Sequence, residues 1–145
     1  MDDVIATARG ALGKELVAYR WVVEEGQMRQ FCRAIGVDAL EHAVAHEVPV
    51  SYTVTAGLWG MPQHELLVSL GLDLRRIVHG EQRFEIPEPL RLGEEYTVRH
   101  RVADVTVKSG RRAGRMIVVV VETTVEDGSG ALRVRELHTS IQTER

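Results

Sequence analysis

The sequence predicts an α+β protein in which one curled antiparallel β-sheet wraps around a long central α-helix. Two observations favour this fold class. The longest helical pattern spans residues 52–70, and the segments that follow it are strand-like and are joined by turn sequences. No repeat, low-complexity tract or linker interrupts the 145 residues, so we expect a single domain over residues 1–145.

The first part of the chain is predicted to contain a strand, a short helix and a loop. Residues 14–23 (KELVAYRWVV) are rich in strand-forming types. From about Glu24 to Ile35 apolar residues recur at helical spacing, and Gly36 is a natural C-terminal stop. Cys32 lies in this helix and is expected to be a small core residue rather than a nucleophile. Residues 37–50 lack a clear period and indicate a loop, with at most one helical turn.

The central helix is predicted from the apolar residues of YTVTAGLWGMPQHELLVSL, residues 52–70, and Gly71 follows as its stop. Gly57, Gly60 and Pro62 fall in its first half, where glycine weakens a helix and proline removes a hydrogen bond. We therefore expect an early break or a bent start.

The second half is predicted to be an antiparallel meander of strands. The turn sequences KSGRRAG and DGSG separate its later strands, and MIVVVVETTV is apolar on both faces, as a central strand would be. The four predicted strands are residues 82–86, 95–108, 116–126 and 131–142.

Composition excludes several classes of function. The formal net charge of −3 provides no large basic field, so we expect neither nucleic acid nor an anionic membrane as a partner. A single cysteine rules out an internal disulfide framework and a cysteine-rich zinc site. The first residues carry no pattern of a secretory signal, and the longest apolar run is too short to span a bilayer, so a cytoplasmic protein is expected. Phosphate-loop and serine-hydrolase motifs are missing, and no cofactor is expected.

Three places could carry chemistry. In the loop GVDALEH, His42 and Asp38 could act as an acid–base pair, although a solvated surface loop would look the same. A metal bound by His42 and His46 would need a third ligand, and none is close in sequence, so no metal is expected. At the start of the long helix, Gly57 could let a ligand approach backbone N–H groups, or could simply allow tight packing.

The third place is VHGEQ, where His79 and Gly80 precede the predicted strand 82–86. His79 could orient a substrate, and Gly80 could expose its N–H group. The alternative is an ordinary junction between a loop and a strand. Basic clusters at Arg75-Arg76 and at residues 111–115 could contact phosphates of a ligand or carrier, or could be solvated loop charges.

The stretch from Gly71 to Gly110 resembles the N-terminal-type MaoC-like dehydratase domain of the FAS1-like dehydratase group. The matching pieces are VHGEQ (78–82), the Pro89-Leu90 pair and the Gly93-Glu94 pair before a long strand. FCRAIG (31–36) and the residues leading into the long helix also match. The resemblance runs from about Val22 to Thr143, nearly the whole chain.

This resemblance implies a hot-dog fold, usually paired into a dimer, and the chemistry of acyl thioesters in fatty acid metabolism. Active members add water reversibly to an enoyl thioester of coenzyme A or acyl carrier protein and give a (3R)-hydroxyacyl thioester. In the motif Gly-Asp-x-Asn-Pro-hydrophobic-His, Asp and His hold one water, and backbone N–H groups bind the thioester oxygen.

The chain departs from that motif. Gly36 and His42 match, but Val37 stands in the place of Asp, and Asp38 is one residue out of register. Glu41 or Glu47 could substitute only if the loop refolds. In two-domain and heterodimeric members one half carries the catalytic pair, and the other half, in which the His-Gly-Glu-Gln segment is most common, shapes the acyl tunnel.

We therefore predict a substrate-binding half of an (R)-specific enoyl-CoA hydratase or (3R)-hydroxyacyl-thioester dehydratase. Its substrate-binding residues would include Gly57, His79 and Gly80, and its dimer partner would be a catalytic MaoC-like subunit. Two alternatives remain: an active homodimer that uses His42 with a displaced acid such as Asp38, and a non-catalytic module that binds acyl thioesters. A hot-dog thioesterase is weaker, since Glu65 lies late in the long helix.

Overall fold

The computed structural model describes residues 1–39, 41, 45–60, 62–111 and 114–144, and of Trp59 only the backbone. Helices and strands with defined bounds lie within these residues. In chain order they are α1 (Asp2–Gly10), β1 (Glu15–Val22), α2 (Glu25–Ile35), α3 (Ala56–Trp59), α4 (Gln63–Ser69), β2 (Ile77–Glu85), β3 (Glu95–Gly110), β4 (Gly114–Glu126) and β5 (Leu132–Thr143). Short 3₁₀ segments at Val50–Thr55 and Leu74–Arg76 precede α3 and β2.

The five strands form one antiparallel sheet in the order β1-β3-β4-β5-β2. The predicted meander corresponds to β3, β4 and β5. The turn between β4 and β5 forms because the Asp127 carboxylate accepts hydrogen bonds from the backbone N–H groups of Ser129 and Ala131, at 2.9 and 3.0 Å. Gly130 in the same turn has φ of 83°, which favours glycine. These findings confirm the predicted α+β class and its curled sheet.

The predicted central helix is present as separate short pieces. Val50–Thr55 is 3₁₀, α3 is one turn long, and α4 begins after Pro62. Gly60 ends α3 where the Tyr19 ring approaches, and a Cβ atom at Gly60 would lie 2.2 Å from that ring. The expected early break is confirmed, and it divides the segment more completely than the sequence pattern indicated, because β1 packs into the gap.

Two elements differ from the sequence-based expectations. Helix α1 was not predicted. Strand β2 begins at Ile77 rather than at residue 82, so His79 and Gly80 lie inside a strand and not at a junction between a loop and a strand. The reason lies in the tertiary structure, because β5 pairs with every residue of Ile77–Glu85 except Gly80, where a bulge shifts the register.

The core consists of two apolar clusters on one face of the sheet, called the inner face here. The first cluster joins α2 and the 3₁₀ segment to one end of the sheet, and it includes the buried Cys32, as predicted. The second joins α1 and α4 to the other end through Ile5, Ala8, Leu66 and Leu67. Helix α1 therefore covers apolar surface that the remaining elements leave open.

We predict that Gly60→Ala lowers the free energy of unfolding by roughly 1–3 kcal/mol, the usual cost of overpacking, since the new methyl group meets the Tyr19 ring. Urea unfolding followed by circular dichroism measures the change. The matched control is Gly26→Ala in α2, where a Cβ atom would have no neighbour within 4 Å and should be neutral or stabilising. Equal effects of the two substitutions would contradict this role of Gly60.

Candidate functional site

A row of polar side chains crosses the inner face between the two apolar clusters, and we call it the polar row. The strand register produces it, since His100 on β3 lies opposite Thr123 on β4, which lies opposite Glu136 on β5. The side chains of the polar row are Tyr19, Gln63, Gln82, His100, Thr123, Glu136, His138 and Ser140. Most of them are buried, so each polar atom needs a partner from within the protein.

One half of the row forms a closed hydrogen-bond chain. The Tyr19 hydroxyl donates to the Ala56 carbonyl, and His100 Nε2 lies 3.2 Å from the same hydroxyl. His100 Nδ1 lies 2.8 Å from Thr123 Oγ1. A neutral imidazole that donates from Nε2 and accepts at Nδ1 satisfies all these contacts. Accordingly, burial lowers the pKa of His100 to about 4 and raises the pKa of Tyr19 to about 12.

The other half contains what we call the inner cluster: Gln63, Gln82, Glu136 and His138. Glu136 Oε1 accepts hydrogen bonds from the side-chain amides of Gln63 and Gln82, at 3.1 and 2.7 Å. Glu136 is only 1 % exposed, and burial raises its pKa even though both amides oppose that shift. Within the described part of the chain, no lysine or arginine forms an ion pair with it.

His138 is the member of the inner cluster with a free ring nitrogen. Its Nε2 lies 3.0 Å from Ser140 Oγ, and its buried Nδ1 has no hydrogen-bond partner. Burial, together with the nearby His79, lowers the pKa of His138 to about 4. The His79 ring lies edge-on at 4.7 Å between centroids and is itself exposed on β2. The inner cluster is therefore close to solvent along β2.

The predicted loop site can be located only in part. Helix α2 ends at Gly36, whose φ is 74°, and the Val37 amide donates to the Cys32 carbonyl at 2.9 Å. Asp38 is exposed beyond this cap. Burial is the main cause of the raised pKa of Cys32, and the negative charge of Asp38 is the second cause. His42 lies outside the described residues. The pairing of Asp38 with His42 therefore stays a prediction.

Glu47 lies in an isolated bridge with Arg91, and the carbonyl of His46 accepts a hydrogen bond from Leu92 at 3.0 Å. These contacts hold the end of the loop beside the segment that precedes β3. Among the described residues, no group of three or more His, Cys, Asp or Glu side chains is placed to hold a metal ion.

Gly57 is buried beside the polar row. A Cβ atom there would lie 3.8 Å from Gln63 Cγ and 4.0 Å from His100 Cε1, which are ordinary contacts. Gly80 is more constrained, since a Cβ atom in its bulge would lie 3.1 Å from Ile141 Cδ1 and 3.2 Å from Thr139 Cγ2. Close packing against β5 is thus a sufficient structural reason for Gly80, and a role for either glycine in substrate binding stays a prediction.

The basic clusters are largely engaged by acids. Arg75 and Arg76 pair with Asp73, and Arg115 pairs with Asp2 at 2.5 Å, which ties β4 to α1. Arg112 lies outside the described residues. On the outer face of the sheet, a groove of about 270 Å³ is lined by arginines and glutamates that also pair with one another. The predicted alternatives were phosphate contacts and solvated loop charges, and the structure shows ion pairs with neighbouring acids at Arg75, Arg76 and Arg115.

The inner cluster was not predicted from the sequence. The signal was present in LRVRELHTSIQT, where Glu136, His138 and Ser140 alternate with outward-facing residues and continue the face of buried Val134. Polar residues at a period of two on a buried face would have identified Glu136 and His138 as unusual. Gln63 and Gln82 could not be found in this way, because only the tertiary structure brings them to Glu136.

Comparison with known proteins places the chain in a family. The family described as the FAS1-like, dehydratase domain region matches residues 11–136. The chain belongs to this dehydratase-domain family. It is 31% identical over 131 residues to a UPF0336 protein of Clavibacter michiganensis subsp. michiganensis, covering 83% of this chain and 85% of that protein. It is 35% identical over 117 residues to UPF0336 protein Franean1_6066 of Parafrankia sp., covering 72% and 73% respectively.

Solved structures support the same fold for this member of the FAS1-like dehydratase family. The HadBC (3R-hydroxyacyl-ACP dehydratase) complex of Mycobacterium tuberculosis superposes with a TM-score of 0.63 at 20% identity, covering 84% of this chain and 90% of that chain. The ChsH1–ChsH2 complex of the same organism superposes with a TM-score of 0.72 at 14% identity, covering 99% of this chain and 90% of that chain. The (R)-hydratase from A. caviae superposes with a TM-score of 0.58 at 14% identity, covering 89% of this chain and 94% of that chain. The hot-dog fold is thereby confirmed.

Among the described residues, no helix combines the length and the apolar character needed to span a bilayer.

We predict that acid destabilises this family member between about pH 6.5 and pH 4. His100 and His138 have folded-state pKa values of about 4, below the ordinary 6.5, so the unfolded chain binds protons that the folded chain does not. The free energy of unfolding then falls as pH falls, by on the order of 2 kcal/mol for each histidine. The raised pKa of Glu136 has the opposite effect on the free energy of unfolding. Its stabilising contribution is present at low pH and is lost as pH rises through the pKa of Glu136 in the folded protein.

Urea unfolding from pH 7 to pH 4 measures this slope. His138→Gln should flatten it, whereas His64→Gln, which removes an exposed histidine of α4, is the control. A slope that is the same in all three proteins would contradict the assignment.

Proposed function

We propose that this protein is the substrate-binding half of an (R)-specific enoyl-CoA hydratase or (3R)-hydroxyacyl-thioester dehydratase, completed by a partner that carries the intact acid–base motif. The observation that carries the proposal is Val37. It follows Gly36 where the motif of active members has its aspartate, and an isopropyl group cannot accept or donate a proton.

The local structure supports this reading of the loop. The left-handed Gly36 and the hydrogen bond from Val37 to Cys32 cap α2, which determines where the chain leaves the helix. Asp38 therefore follows the cap at the second position, not the first. Asp38 and His42 remain the catalytic residues of the alternative proposal, an active homodimer.

The sheet supports a partner beside β2. Within the described residues β2 is the last strand on its side, so one edge of its backbone is open for pairing. Val78 and Phe84 on this strand are 57 % and 37 % exposed. Solved complexes of the same fold, HadBC and ChsH1–ChsH2, contain two different chains, which agrees with a heterodimer. We propose that the partner extends the sheet along β2.

The proposed ligand is an acyl thioester of coenzyme A or acyl carrier protein, bound near Gly57, His79 and Gly80. These residues border the polar row at α3 and at the open strand β2. A site with apolar clusters on both sides of a few polar groups fits a long apolar chain that carries a polar head. A cytoplasmic location is part of the same proposal.

We predict that the purified chain alone hydrates a short enoyl-CoA at a negligible rate. Adding a MaoC-like partner encoded beside it should raise the rate at least about a hundredfold, since the missing acid–base step contributes that much or more. Spectrophotometric loss of the enoyl absorbance measures the rate. His42→Ala in this chain should leave the rate of the mixture unchanged.

Strong hydration by the chain alone, abolished by His42→Ala, would instead establish the active homodimer. Binding of acyl-CoA without turnover in the presence of any tested partner would establish the non-catalytic module.

We predict that Val78→Glu on β2 prevents association, because a charge on an edge strand opposes pairing. Light scattering after size-exclusion chromatography should show loss of the homodimer or of the complex with the partner. The control is Val68→Glu, which places the same charge on an exposed position of α4. Unchanged association of the Val78 variant would exclude β2 as the interface.

A further inference from the structure

The inner cluster is the part of the polar row in which not every polar atom has a hydrogen-bond partner within the protein. The chain from Thr123 through His100 and Tyr19 to Ala56 uses every polar atom that it contains. In contrast, His138 is about nine-tenths buried and keeps an unpartnered Nδ1. An unpaired buried polar atom costs roughly 1–3 kcal/mol, so a ligand atom that pairs with it would recover this energy.

The inner cluster also contains a carboxyl group with an unusual set of partners. Both amide donors bind Glu136 Oε1, so this carboxyl positions the side chains of Gln63 and Gln82. The titratable groups that face Glu136 are His79 on β2, His138 on β5 and Tyr19 on β1, and none of them is a fixed cation. Among the described residues no lysine or arginine pairs with Glu136, so a phosphate or carboxylate ligand would lack a permanent counter-charge here and a neutral oxygen is favoured.

A small cavity adjoins the inner cluster. It is lined by Gln63, His138, Leu66, Leu67 and Val121 and has a volume of about 10 Å³. That is about the room that one water needs, and therefore about the room that one hydroxyl or carbonyl oxygen needs. Its other walls are apolar side chains of the second core cluster, so an oxygen that enters the cavity finds polar partners at Gln63 and His138.

The exposed His79 ring lies against His138 at the open side of the sheet. The inner cluster therefore reaches solvent along β2, where Gln82 is itself partly exposed.

We propose that the inner cluster is a subsite that binds one neutral oxygen substituent, a hydroxyl or carbonyl, on the apolar chain of the ligand. His138 Nδ1 accepts from a hydroxyl or, as the other tautomer, donates to a carbonyl, and Glu136 holds the Gln63 side chain at the wall of the same cavity. This inference rests on the proposed function, since it takes the ligand to be an acyl thioester. It assigns to this chain a choice among acyl groups that is independent of the loop 36–42.

Calorimetric titration of the full chain with decanoyl-CoA, 3-hydroxydecanoyl-CoA and 10-hydroxydecanoyl-CoA tests the subsite. We expect one hydroxylated ligand to bind roughly five- to tenfold more tightly than decanoyl-CoA, as one or two added hydrogen bonds allow. Glu136→Leu and His138→Phe should each remove this preference while decanoyl-CoA still binds. Gln82→Leu, on the partly exposed β2, should reduce the preference even if the buried variants fail to fold.

The matched control is Gln142→Leu, which replaces a buried amide on the same strand as Glu136 and His138 but outside the inner cluster. It should retain the preference. Equal affinities of all three ligands for the native chain would overturn the subsite and leave the proposed function standing. Failure of every acyl-CoA to bind, alone or with the partner, would overturn the proposed function and the subsite with it. A preference that survives Glu136→Leu and His138→Phe would overturn the assignment to these residues.

Discussion

The constraint on which this structure depends is that polar side chains buried inside a sheet protein must find their partners within the protein. The inner face of the sheet is apolar at both ends and polar across its middle. The Tyr19 hydroxyl meets this constraint by donating to the Ala56 carbonyl, which attaches the broken helical segment to β1. The Tyr19 ring also occupies the space beside Gly60. One side chain thus determines both the position and the interruption of that segment.

The same constraint separates the polar row into a structural half and a half suited to a ligand. Between Tyr19 and Thr123 every donor has an acceptor, so these residues contribute rigidity and disfavour charge on His100. Around Glu136 the partners are neutral amides, and His138 retains an unpaired nitrogen. Native proteins seldom keep such groups in a core without a use for them, because each lowers the free energy of unfolding.

The family assignment and the altered loop both agree with the proposal that substrate binding and catalysis are divided between two subunits. The chain belongs to a dehydratase-domain family, yet its loop places Val37 after Gly36. The open edge of β2 among the described strands, the partly paired polar cluster beside it and Val37 in the loop all agree with the proposed subunit that relies on a partner. The elements that would bind a ligand and those that would bind the partner meet at β2.

The sequence by itself determined the fold class, the meander of long strands, the turn at Asp127 and the break near Gly60 and Pro62, because these features depend on local period and on the backbone limits of glycine and proline. It also carried the family resemblance, in VHGEQ and the residues around it. Only the tertiary structure decided that β2 begins at Ile77, that α1 covers the second cluster, and that Gln63 and Gln82 meet Glu136. Those outcomes depend on strand pairing and burial between residues far apart in the chain, which no local pattern encodes.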